Sequence, residues 1–390
     1  MFNILVLDNV SKQGLSYFPN ELYSISDKQS NPDAIICRSS VLHEFNFPEQ
    51  VKVVGRAGAG VNNIPVPKLT EKGIPVLNTP GANANAVKEL VLTGLLLACR
   101  NICQAWQYVN TLSGDDDEIL KKMVEKGKKQ FVGYELVGRT LAVVGLGSIG
   151  VKVANAALDL GMRVIGYDPL LTVRNAWELS SFVEEARTLE EMLPQADFVT
   201  LHVPLLANTR GLFDENELSL MKQGAVLLNF ARDAIVDSNA LLAALENRLH
   251  AYVCDFPSKE WLNHPKVIAL PHLGASTNEA EENCAVMIVE QIRHFLEDGN
   301  IRNAVNFPEV IMPRMNPHEA RLAICNNNVP NMVAQISSVL AKQQLNIIDL
   351  LNKSRDNIAF TLININAKPS PQTLQALRAI TGVINVRLCE

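Results

Sequence analysis

The 390-residue sequence lacks the cysteine and charge patterns that mark several classes of protein. Its seven cysteines are scattered and form no C-x-x-C pair, which is typical of reduced thiols and leaves no spacing suited to a zinc site. The formal net charge is −6, and no run of lysine and arginine suggests a polybasic tail. We therefore expect neither a metal ion nor nucleic acid as a partner.

The sequence also lacks a hydrophobic run long enough to cross a bilayer. The longest, residues 90–99, is bounded by Glu89 and Arg100 and is too short for a membrane span. Residues 1–8 contain no cationic segment and predict a first strand rather than a signal peptide. With 47% hydrophobic and 19% charged residues, the composition is that of an ordinary globular chain. We expect a cytoplasmic protein of two or three domains with no membrane partner.

What the sequence does contain is a glycine-rich turn between a strand and a helix. An apolar run at residues 141–144 predicts a buried parallel strand, and Gly145, Gly147 and Gly150 follow with G-x-G-x-x-G spacing. The first glycine allows a tight turn, the second lets the backbone approach a pyrophosphate, and the third lets helix and strand pack closely. A glycine turn with a purely structural role is the alternative.

The segment after this turn completes a dinucleotide-binding pattern. The predicted helix ends near Gly161, and its N-terminus offers N–H donors and a partial positive charge to phosphates. A second apolar strand, residues 162–167, then places Asp168 at its carboxyl end. This carboxylate can accept hydrogen bonds from the adenosine ribose hydroxyls and would repel a 2′-phosphate. The pattern therefore predicts NAD, rather than NADP, as the cofactor.

Arg232 lies just beyond the carboxyl end of another predicted strand, which ends at Asn229. Ligands of open parallel sheets bind at this edge. A guanidinium there is suited to bidentate binding of a carboxylate. A solvated surface arginine is the alternative, and the position of Arg232 favours the binding role.

His272 is the candidate general base. It follows the strand predicted at residues 267–270 and precedes Gly274 in a loop of small residues, which lets a ligand approach. Histidine is the natural general base near neutral pH, because its ordinary pKa permits both uptake and release of a proton. His202, which also ends a predicted strand, is the one serious rival among the other histidines.

Two carboxylates lie between Arg232 and His272 in the sequence. A carboxylate that bonds to an imidazole raises its pKa and selects its tautomer, and Glu260 is the candidate for this partner. Asp255, at a strand end, is better placed to contact the nicotinamide part of the cofactor. The alternative for Glu260 is an ordinary solvated loop carboxylate.

A second glycine-rich loop, residues 55–63, does not have the dinucleotide pattern. It lacks a third glycine, and Pro65 and Pro67 prevent a helix from starting there. We expect its N–H groups to bind a small anion, with Arg56 nearby. Arg38 at another strand end and Lys128 in a short basic run are similar cations. Each alone is more often a solvated charge, but together they indicate a substrate with several negative charges.

The order of predicted elements defines the fold class. Strands and helices alternate through residues 1–95 and again through residues 96–278, whereas the tail from about residue 319 has the order βαββαβ. We therefore expect an α/β protein with two doubly wound parallel-sheet (Rossmann-like) domains and a small C-terminal ferredoxin-like domain. A segment containing proline and asparagine, residues 306–318, is the predicted linker before the tail.

These motifs together resemble the D-2-hydroxyacid dehydrogenase family, and within it the phosphoglycerate dehydrogenases with a C-terminal ACT domain. The resemblance covers nearly the whole chain. It rests on residues 55–61, 78–83, 145–150, 202–205, 229–232 and 271–277. The family implies a substrate-binding domain of residues 1–95 and 279–305, an NAD-binding domain of residues 96–278, and an ACT regulatory domain of residues 319–390.

The resemblance also implies roles for individual residues. Catalysis in the family uses an arginine, a glutamate and a histidine, which match Arg232, Glu260 and His272. The cofactor contacts that it implies are Thr79, Gly145, Gly147, Ser148, Ile149, Gly150, Asp168, Val203, Pro204, Phe230, Ala231, Arg232, Asp255, His272, Leu273, Gly274 and Ala275. The substrate contacts are Arg38, Arg56, Gly58, Ala59, Gly60 and Lys128. The sequence departs from the family at Asp233, where a glycine usually follows the catalytic arginine.

The implied reaction is oxidation of 3-phospho-D-glycerate to 3-phosphohydroxypyruvate, the first step of L-serine biosynthesis, in a homodimer or homotetramer. Asn326, Asn328 and Asn346 match positions that bind an L-serine effector in related enzymes, although Asn326 replaces the family's histidine. A purely structural tail is the alternative. The alternatives for the whole chain are a dehydrogenase of an unphosphorylated 2-hydroxyacid and a non-catalytic regulator that senses NAD.

Overall fold

The computed structural model describes residues 1–113, 116–313 and 320–389. The chain forms two compact units, one of residues 1–83 and 278–390 and the other of residues 84–277. Residues 314–318 of the predicted linker lie outside the described residues. In the part of the chain that is described, no helix is long and apolar enough to cross a membrane.

The strands of the described residues belong to three sheets. They are β1 (Phe2–Val6), β2 (Tyr23–Ser26), β3 (Ala34–Cys37), β4 (Val53–Arg56), β5 (Val76–Leu77), β6 (Thr140–Val144), β7 (Arg163–Tyr167), β8 (Glu184–Glu185), β9 (Phe198–Leu201), β10 (Val226–Asn229), β11 (Ala251–Cys254), β12 (Val267–Ala269), β13 (Ala320–Asn327), β14 (Ile347–Arg355), β15 (Ile358–Ile365) and β16 (Val383–Cys389).

Helices connect most of these strands. They are α1 (Lys12–Leu15), α2 (Val66–Glu71), α3 (Ala84–Cys99), α4 (Ile102–Thr111), α5 (Asp117–Gly127), α6 (Ser148–Asp159), α7 (Val173–Glu178), α8 (Leu189–Met192), α9 (Glu215–Leu220), α10 (Ser238–Asn247), α11 (Asn278–Asp298), α12 (Met332–Lys342) and α13 (Pro371–Arg378). Short 3₁₀ helices occur at Lys128–Phe131, Leu193–Gln195 and Asp233–Ile235.

The first unit contains a parallel sheet in the order β2-β1-β3-β4-β5. All four residues of β3 are buried, as expected for a strand that is covered on both faces. Helix α11 packs on the sheet at Gly55, where a Cβ atom would lie only 2.7 Å from Ile288 and 2.8 Å from Ile292. A glycine at this position lets the helix approach the strand closely.

The second unit contains a parallel sheet in the order β12-β11-β10-β9-β6-β7-β8. The prediction of two doubly wound parallel sheets is therefore confirmed. The chain adds strands on one side of β6 and then returns to place β9 on its other side. Ligands of such sheets bind beyond the carboxyl ends of the strands where the order reverses. Helix α3 packs on α6 and β10, and the unit begins at Ala84, upstream of the boundary proposed at residue 95.

The tail forms a third sheet, which is antiparallel and has the order β14-β15-β13-β16. The element order βαββαβ is the predicted one. Helices α12 and α13 cover one face of this sheet, where Ile336, Leu340 and Leu377 are buried against its strands. The ferredoxin-like fold of the tail follows from this arrangement.

The other face of this sheet packs within the first unit. Phe360 lies 6.4 Å from Phe295 and 6.1 Å from Phe307, measured between ring centroids. Arg321 is fully buried and donates hydrogen bonds to the carbonyl oxygens of Met312 at 2.8 Å and Pro313 at 2.8 Å. The tail is thus packed against the sheet-and-helix core of residues 1–83 and 278–313 through both apolar and polar contacts.

Candidate functional site

The glycine turn after β6 has the geometry that a dinucleotide needs. Gly145 has a φ of 91°, and a Cβ atom there would lie 2.8 Å from the carbonyl oxygen of His202. A Cβ atom on Gly150 would overlap with the carbonyl oxygen of Gly145. Next to Gly147, in contrast, a Cβ atom would have no neighbour within 4 Å. Two glycines are therefore required by the protein's own packing, and the third borders open space that can receive phosphates.

Two further features of this turn fit the same ligand. Helix α6 begins at Ser148 without a side-chain cap, so its first N–H groups are available to an anion. Asp168 follows β7, and its carboxylate accepts hydrogen bonds from the backbone N–H groups of Leu146 and Leu170, both at 2.8 Å. These bonds hold the carboxylate beside the glycine turn.

His202, at the end of β9, is not suited to proton transfer. Its ring nitrogen Nε2 lies 2.9 Å from the Thr200 hydroxyl, and removal of the ring from water lowers the pKa of His202 to about 3. The imidazole is therefore neutral near pH 7 and is a weak base. This leaves His272 without its serious rival.

Arg232 lies in a turn that Asn229 holds in place. Asn229 is fully buried at the end of β10. Its side-chain oxygen accepts from the N–H of Ala231 at 3.1 Å, and its side-chain nitrogen donates to the carbonyl oxygen of Arg232 at 2.8 Å. Arg232 thus lies beyond the carboxyl end of its strand, at the ligand edge where the sequence predicts it. No role for Asn229 was predicted from the sequence, although its position at a strand end was a usable signal.

The loop that carries His272 is held by Asp255. This aspartate is 1% exposed, and its two carboxylate oxygens accept from the N–H groups of Leu273 and Gly274, each at 2.7 Å. The backbone of His272 is left-handed, with a φ of 57°, and its exposed ring packs edge-on against Phe256 at 5.1 Å between centroids. Asp255, proposed as a cofactor contact, therefore also shapes the histidine loop.

Glu260 is exposed in the loop after β11. Among the described residues its carboxylate forms no hydrogen bond or ion pair with His272, whose ring contacts Phe256 instead. The adjacent Trp261 is buried and packs edge-on against Tyr252 at 6.0 Å. The pairing of Glu260 with His272 stays a prediction.

In the first unit, two arginines lie at the carboxyl edge of the parallel sheet. Arg38 follows β3 and forms an ion pair of 2.7 Å with Glu281, and Arg56 ends β4 with its guanidinium against Gly58. Loss of water raises the pKa of the Cys284 thiol, and the charges of both arginines act in the opposite direction. Both cations therefore lie near the same thiol, at one end of the sheet.

The glycine loop of the first unit is tied to the segment after β5. The N–H of Thr79 donates to the carbonyl oxygen of Gly58 at 3.1 Å, and the Asn78 side chain donates to the carbonyl oxygen of Ala59 at 2.5 Å. Thr79 is fully buried. The structure thus brings the predicted loop residues beside Thr79, and Asn78 is a supporting residue that had no assigned role.

Asp8 is a third supporting residue for which the sequence predicted no role. Its carboxylate accepts from the backbone N–H groups of Arg38 at 2.6 Å, Ser39 at 3.2 Å and Ser40 at 3.1 Å. It therefore holds the loop that carries Arg38. Its position directly after a strand was the available signal.

Lys128 belongs to the second unit and lies in a 3₁₀ helix. Its ammonium group is 2.5 Å from a carboxylate oxygen of Glu125, and both side chains are exposed. Lys128 therefore pairs with its own neighbour on the surface, and its role in binding substrate stays a prediction.

The three asparagines proposed for an effector are not together within one chain. Asn326 and Asn328 lie at the end of β13, which pairs with the start of β15, whereas Asn346 precedes the start of β14, which pairs with the end of β15. These positions lie at opposite ends of β15, separated by the length of an eight-residue strand, about 26 Å. Asn326 is buried, and its side-chain oxygen has no hydrogen-bond partner among the described residues.

Comparison with known proteins agrees with this geometry. Residues 92–274 match the family model described as D-isomer specific 2-hydroxyacid dehydrogenase, NAD binding domain. This segment contains the glycine turn, Asp168, Arg232 and His272. Residues 92–274 are therefore an NAD-binding domain of the D-isomer specific 2-hydroxyacid dehydrogenases, and the predicted cofactor NAD is confirmed.

Two curated relatives extend the similarity beyond this domain. The chain is 38% identical over 294 residues to the D-3-phosphoglycerate dehydrogenase of Methanocaldococcus jannaschii, covering 73% of this chain and 53% of the relative. It is 35% identical over 327 residues to the D-3-phosphoglycerate dehydrogenase of Bacillus subtilis, covering 79% of this chain and 59% of the relative. The chain thus spans little more than half the length of these relatives.

A solved structure shows the same fold. The NAD⁺-bound 3-phosphoglycerate dehydrogenase of Entamoeba histolytica superposes with a TM-score of 0.60 and 24% identity, covering 78% of this chain and 98% of that one. At this identity the similarity concerns the fold alone.

Proposed function

We propose that this chain is an NAD-dependent dehydrogenase that oxidises 3-phospho-D-glycerate to 3-phosphohydroxypyruvate, the first step of L-serine biosynthesis. The observation that carries the proposal is the placement of Arg232 and His272 in loops at the carboxyl edge of the sheet that bears the dinucleotide turn. Such an edge is the ligand site of a doubly wound sheet. The names of the two curated relatives support the same reaction.

Each residue of the proposed site has a separate role in the reaction. Arg232 binds the substrate carboxylate and polarises the oxygen on C2, since a guanidinium binds carboxylates through two parallel bonds. His272 takes the proton of the C2 hydroxyl as general base. Bound NAD supplies a hydride acceptor at C4 of its nicotinamide ring. Glu260 is the proposed partner that stabilises the protonated imidazole of His272.

Three cations are proposed to select the phosphorylated acid. Arg56 and Arg38 hold the phosphate with help from Lys128, while N–H groups of residues 58–60 share the carboxylate. Arg38 reaches the phosphate by leaving its ion pair with Glu281. Residues 1–95 with 279–305 form the substrate-binding domain in this proposal, and residues 96–278 form the NAD-binding domain.

The tail, residues 319–390, is proposed to be an ACT regulatory domain that binds L-serine in a homodimer or homotetramer in the cytoplasm. Asn346 lies at the opposite end of β15 from Asn326 and Asn328. The proposed effector site therefore needs residues from two copies of the tail. The buried side-chain oxygen of Asn326 that has no partner among the described residues is an acceptor for an ammonium group.

Steady-state oxidation of NADH tests the reaction. We expect turnover with 3-phosphohydroxypyruvate, much slower turnover with unphosphorylated hydroxypyruvate, and a lower rate when L-serine is added. Faster turnover of the unphosphorylated acid would contradict the proposed substrate and favour another 2-hydroxyacid dehydrogenase. No oxidation of NADH with either acid would favour a regulator that binds NAD without catalysis.

A further inference from the structure

A buried network of polar side chains lies beneath the candidate catalytic residues of the second unit. Asn229, Tyr252 and Cys254 are at most 1% exposed. They lie on the neighbouring strands β10 and β11, where Asn229 is paired directly with Cys254. The side chains of residues 252 and 254 point to the same face of the sheet, since side chains alternate along a strand. Three polar side chains are thus gathered in an otherwise apolar layer.

Two hydrogen bonds and one contact between side chains join these residues. The side-chain nitrogen of Asn229 donates to the Tyr252 hydroxyl at 3.3 Å. Burial holds the pKa of the Tyr252 hydroxyl well above its usual range, and its neighbour Cys254 on the same face of β11 acts in the same direction, so the two side chains are close to each other. The Cys254 thiol donates to the carbonyl oxygen of Phe256 at 3.5 Å. Buried polar groups that are paired restrict their surroundings to one arrangement.

Each end of this buried network holds a candidate catalytic residue. At one end, the side-chain nitrogen of Asn229 that bonds to Tyr252 also donates to the carbonyl oxygen of Arg232 at 2.8 Å. At the other end, the ring of Phe256 packs edge-on against the ring of His272 at 5.1 Å. The network therefore connects the arginine turn to the imidazole without touching the proposed substrate.

The ring of Tyr252 makes a third connection. It packs edge-on against Trp261 at 6.0 Å, and Trp261 is the residue after Glu260. Tyr252 thus contacts Asn229, which holds the Arg232 turn, and Trp261, which is buried next to the exposed Glu260. An ordinary apolar residue in β11 would fill the same space but could not accept a hydrogen bond from Asn229.

We propose that Tyr252 is a positioning residue whose buried hydroxyl, through Asn229 and Cys254, holds the Arg232 turn and the His272 ring in their working arrangement. This inference rests on the proposed dehydrogenase function. Loss of the hydroxyl leaves Asn229 with one bond fewer and removes the polar neighbour of Cys254, which loosens both loops at once. The expected consequence is a lower rate of the chemical step with little change in cofactor binding, because the glycine turn is held by separate contacts.

The test compares variants that remove or keep single bonds. Tyr252→Phe keeps the ring against Trp261 and removes only the hydroxyl. Cys254→Val removes the thiol bonds at similar volume, whereas Cys254→Ser keeps a donor and an acceptor. Tyr134→Phe is the matched control, since Tyr134 packs against Phe198 and His250 away from this network.

For Tyr252→Phe and Cys254→Val we expect kcat with 3-phosphohydroxypyruvate to fall about fivefold to tenfold. The Kd of NADH should stay within a factor of about two of wild type in every variant. Cys254→Ser should recover most of the lost rate, and Tyr134→Phe should not change it. Unchanged kcat in folded Tyr252→Phe and Cys254→Val would overturn the proposal. A rise in the NADH Kd that matches the fall in kcat would also overturn it, because it would indicate general damage.

A second readout does not depend on the identity of the reaction. Carbethoxylation of His272 by diethyl pyrocarbonate, followed by peptide mass spectrometry, reports how tightly Phe256 holds the imidazole. The rate at His272 should increase at least about twofold in Tyr252→Phe, while the rate at His294 stays unchanged. If wild type does not turn over the phosphorylated acid, the proposed function fails. The rate of carbethoxylation at His272 then decides by itself whether Tyr252 positions the imidazole. An unchanged rate at His272 would then refute the role of Tyr252.

Discussion

The backbone carbonyl oxygen of Asp255 accepts a hydrogen bond from the backbone N–H of His272 at 3.1 Å. The side chain of the same aspartate binds the next two N–H groups of the loop, at Leu273 and Gly274. One buried residue thus holds three consecutive amide groups, and it does so where the backbone of His272 is left-handed. A left-handed conformation is costly for a residue other than glycine and persists where surrounding contacts hold it.

Asp255→Asn should therefore lower turnover more than it lowers the affinity for NADH. The asparagine side chain keeps one oxygen acceptor for the two N–H groups of Leu273 and Gly274, and its NH₂ group faces the other N–H group. That buried N–H donor is left unpaired, which costs about 1–3 kcal/mol. We expect kcat to fall at least about tenfold, with a lower melting temperature. Asp159→Asn is the control, because Asp159 is exposed at the end of α6. Equal kcat in both variants would contradict the role of Asp255 in holding the loop.

His272→Gln should remove the general base, whereas His202→Gln should not. A positioned base contributes about 10²–10⁴-fold to the rate of proton transfer, so kcat for His272→Gln should fall by this factor. Glutamine at position 202 can still bond to Thr200, and the pKa of about 3 already keeps His202 neutral in wild type. Both variants should bind NADH, as measured by fluorescence titration. A larger loss of kcat in His202→Gln would reverse the assignment.

The glycines of the dinucleotide turn should respond differently to the same added methyl group. Gly150→Ala should destabilise the protein, because its Cβ atom would overlap with the carbonyl oxygen of Gly145. Gly147→Ala should leave the melting temperature unchanged, since no protein atom lies within 4 Å of its Cβ position, yet it should weaken NADH binding at least about tenfold by occupying the phosphate space. Thermal unfolding and NADH titration of both variants provide the measurement. Unchanged NADH affinity in Gly147→Ala would indicate that the phosphates bind elsewhere.

Asp8 should make stability depend on pH in the acid range. Burial alone would raise the pKa of Asp8, but hydrogen bonds from Arg38, Ser40 and Ser39 outweigh burial and lower it. A carboxylate with a lowered pKa in the folded state stabilises the protein above its unfolded pKa of about 3.9, and this contribution is lost as the pH falls through the folded pKa. The difference in free energy of unfolding between wild type and Asp8→Asn should be largest at pH 5–7 and shrink below about pH 4. Urea unfolding from pH 3 to 7 measures it, and a difference that does not vary with pH would contradict this role.

Local patterns predicted the dinucleotide unit and most of the strands. The turn glycines, Asp168, Arg232 and His272 could be placed because each immediately follows an apolar strand, and the carboxyl ends of parallel strands share one edge. Strand β2, with the sequence Tyr-Ser-Ile-Ser, had no such signal, since it is short, half polar and lies at the edge of its sheet. The exposed pair Glu184–Glu185 of β8 was missed for the same reason.

Relationships between distant segments could not be derived from these patterns. The position of Asn346 opposite Asn326 depends on the register of β13 and β14 on β15, which no local signal reveals. Tyr252 and Cys254 look like ordinary members of a buried strand, and their polar role emerges only because β10 places Asn229 beside them. Arg321 likewise finds its carbonyl partners only when the tail packs on the segment around Met312.

The first unit is built from the two ends of the chain, with the second unit inserted between them. During synthesis, residues 84–277 leave the ribosome as an uninterrupted stretch that can fold as soon as it is complete. The N-terminal sheet cannot be completed at that stage, because Ile288 and Ile292 of α11, which cover it at Gly55, are made more than two hundred residues later. Nascent strands β1 to β5 therefore expose the apolar face that α11 covers throughout translation of the middle of the chain, which makes this face a site where a chaperone would protect the chain.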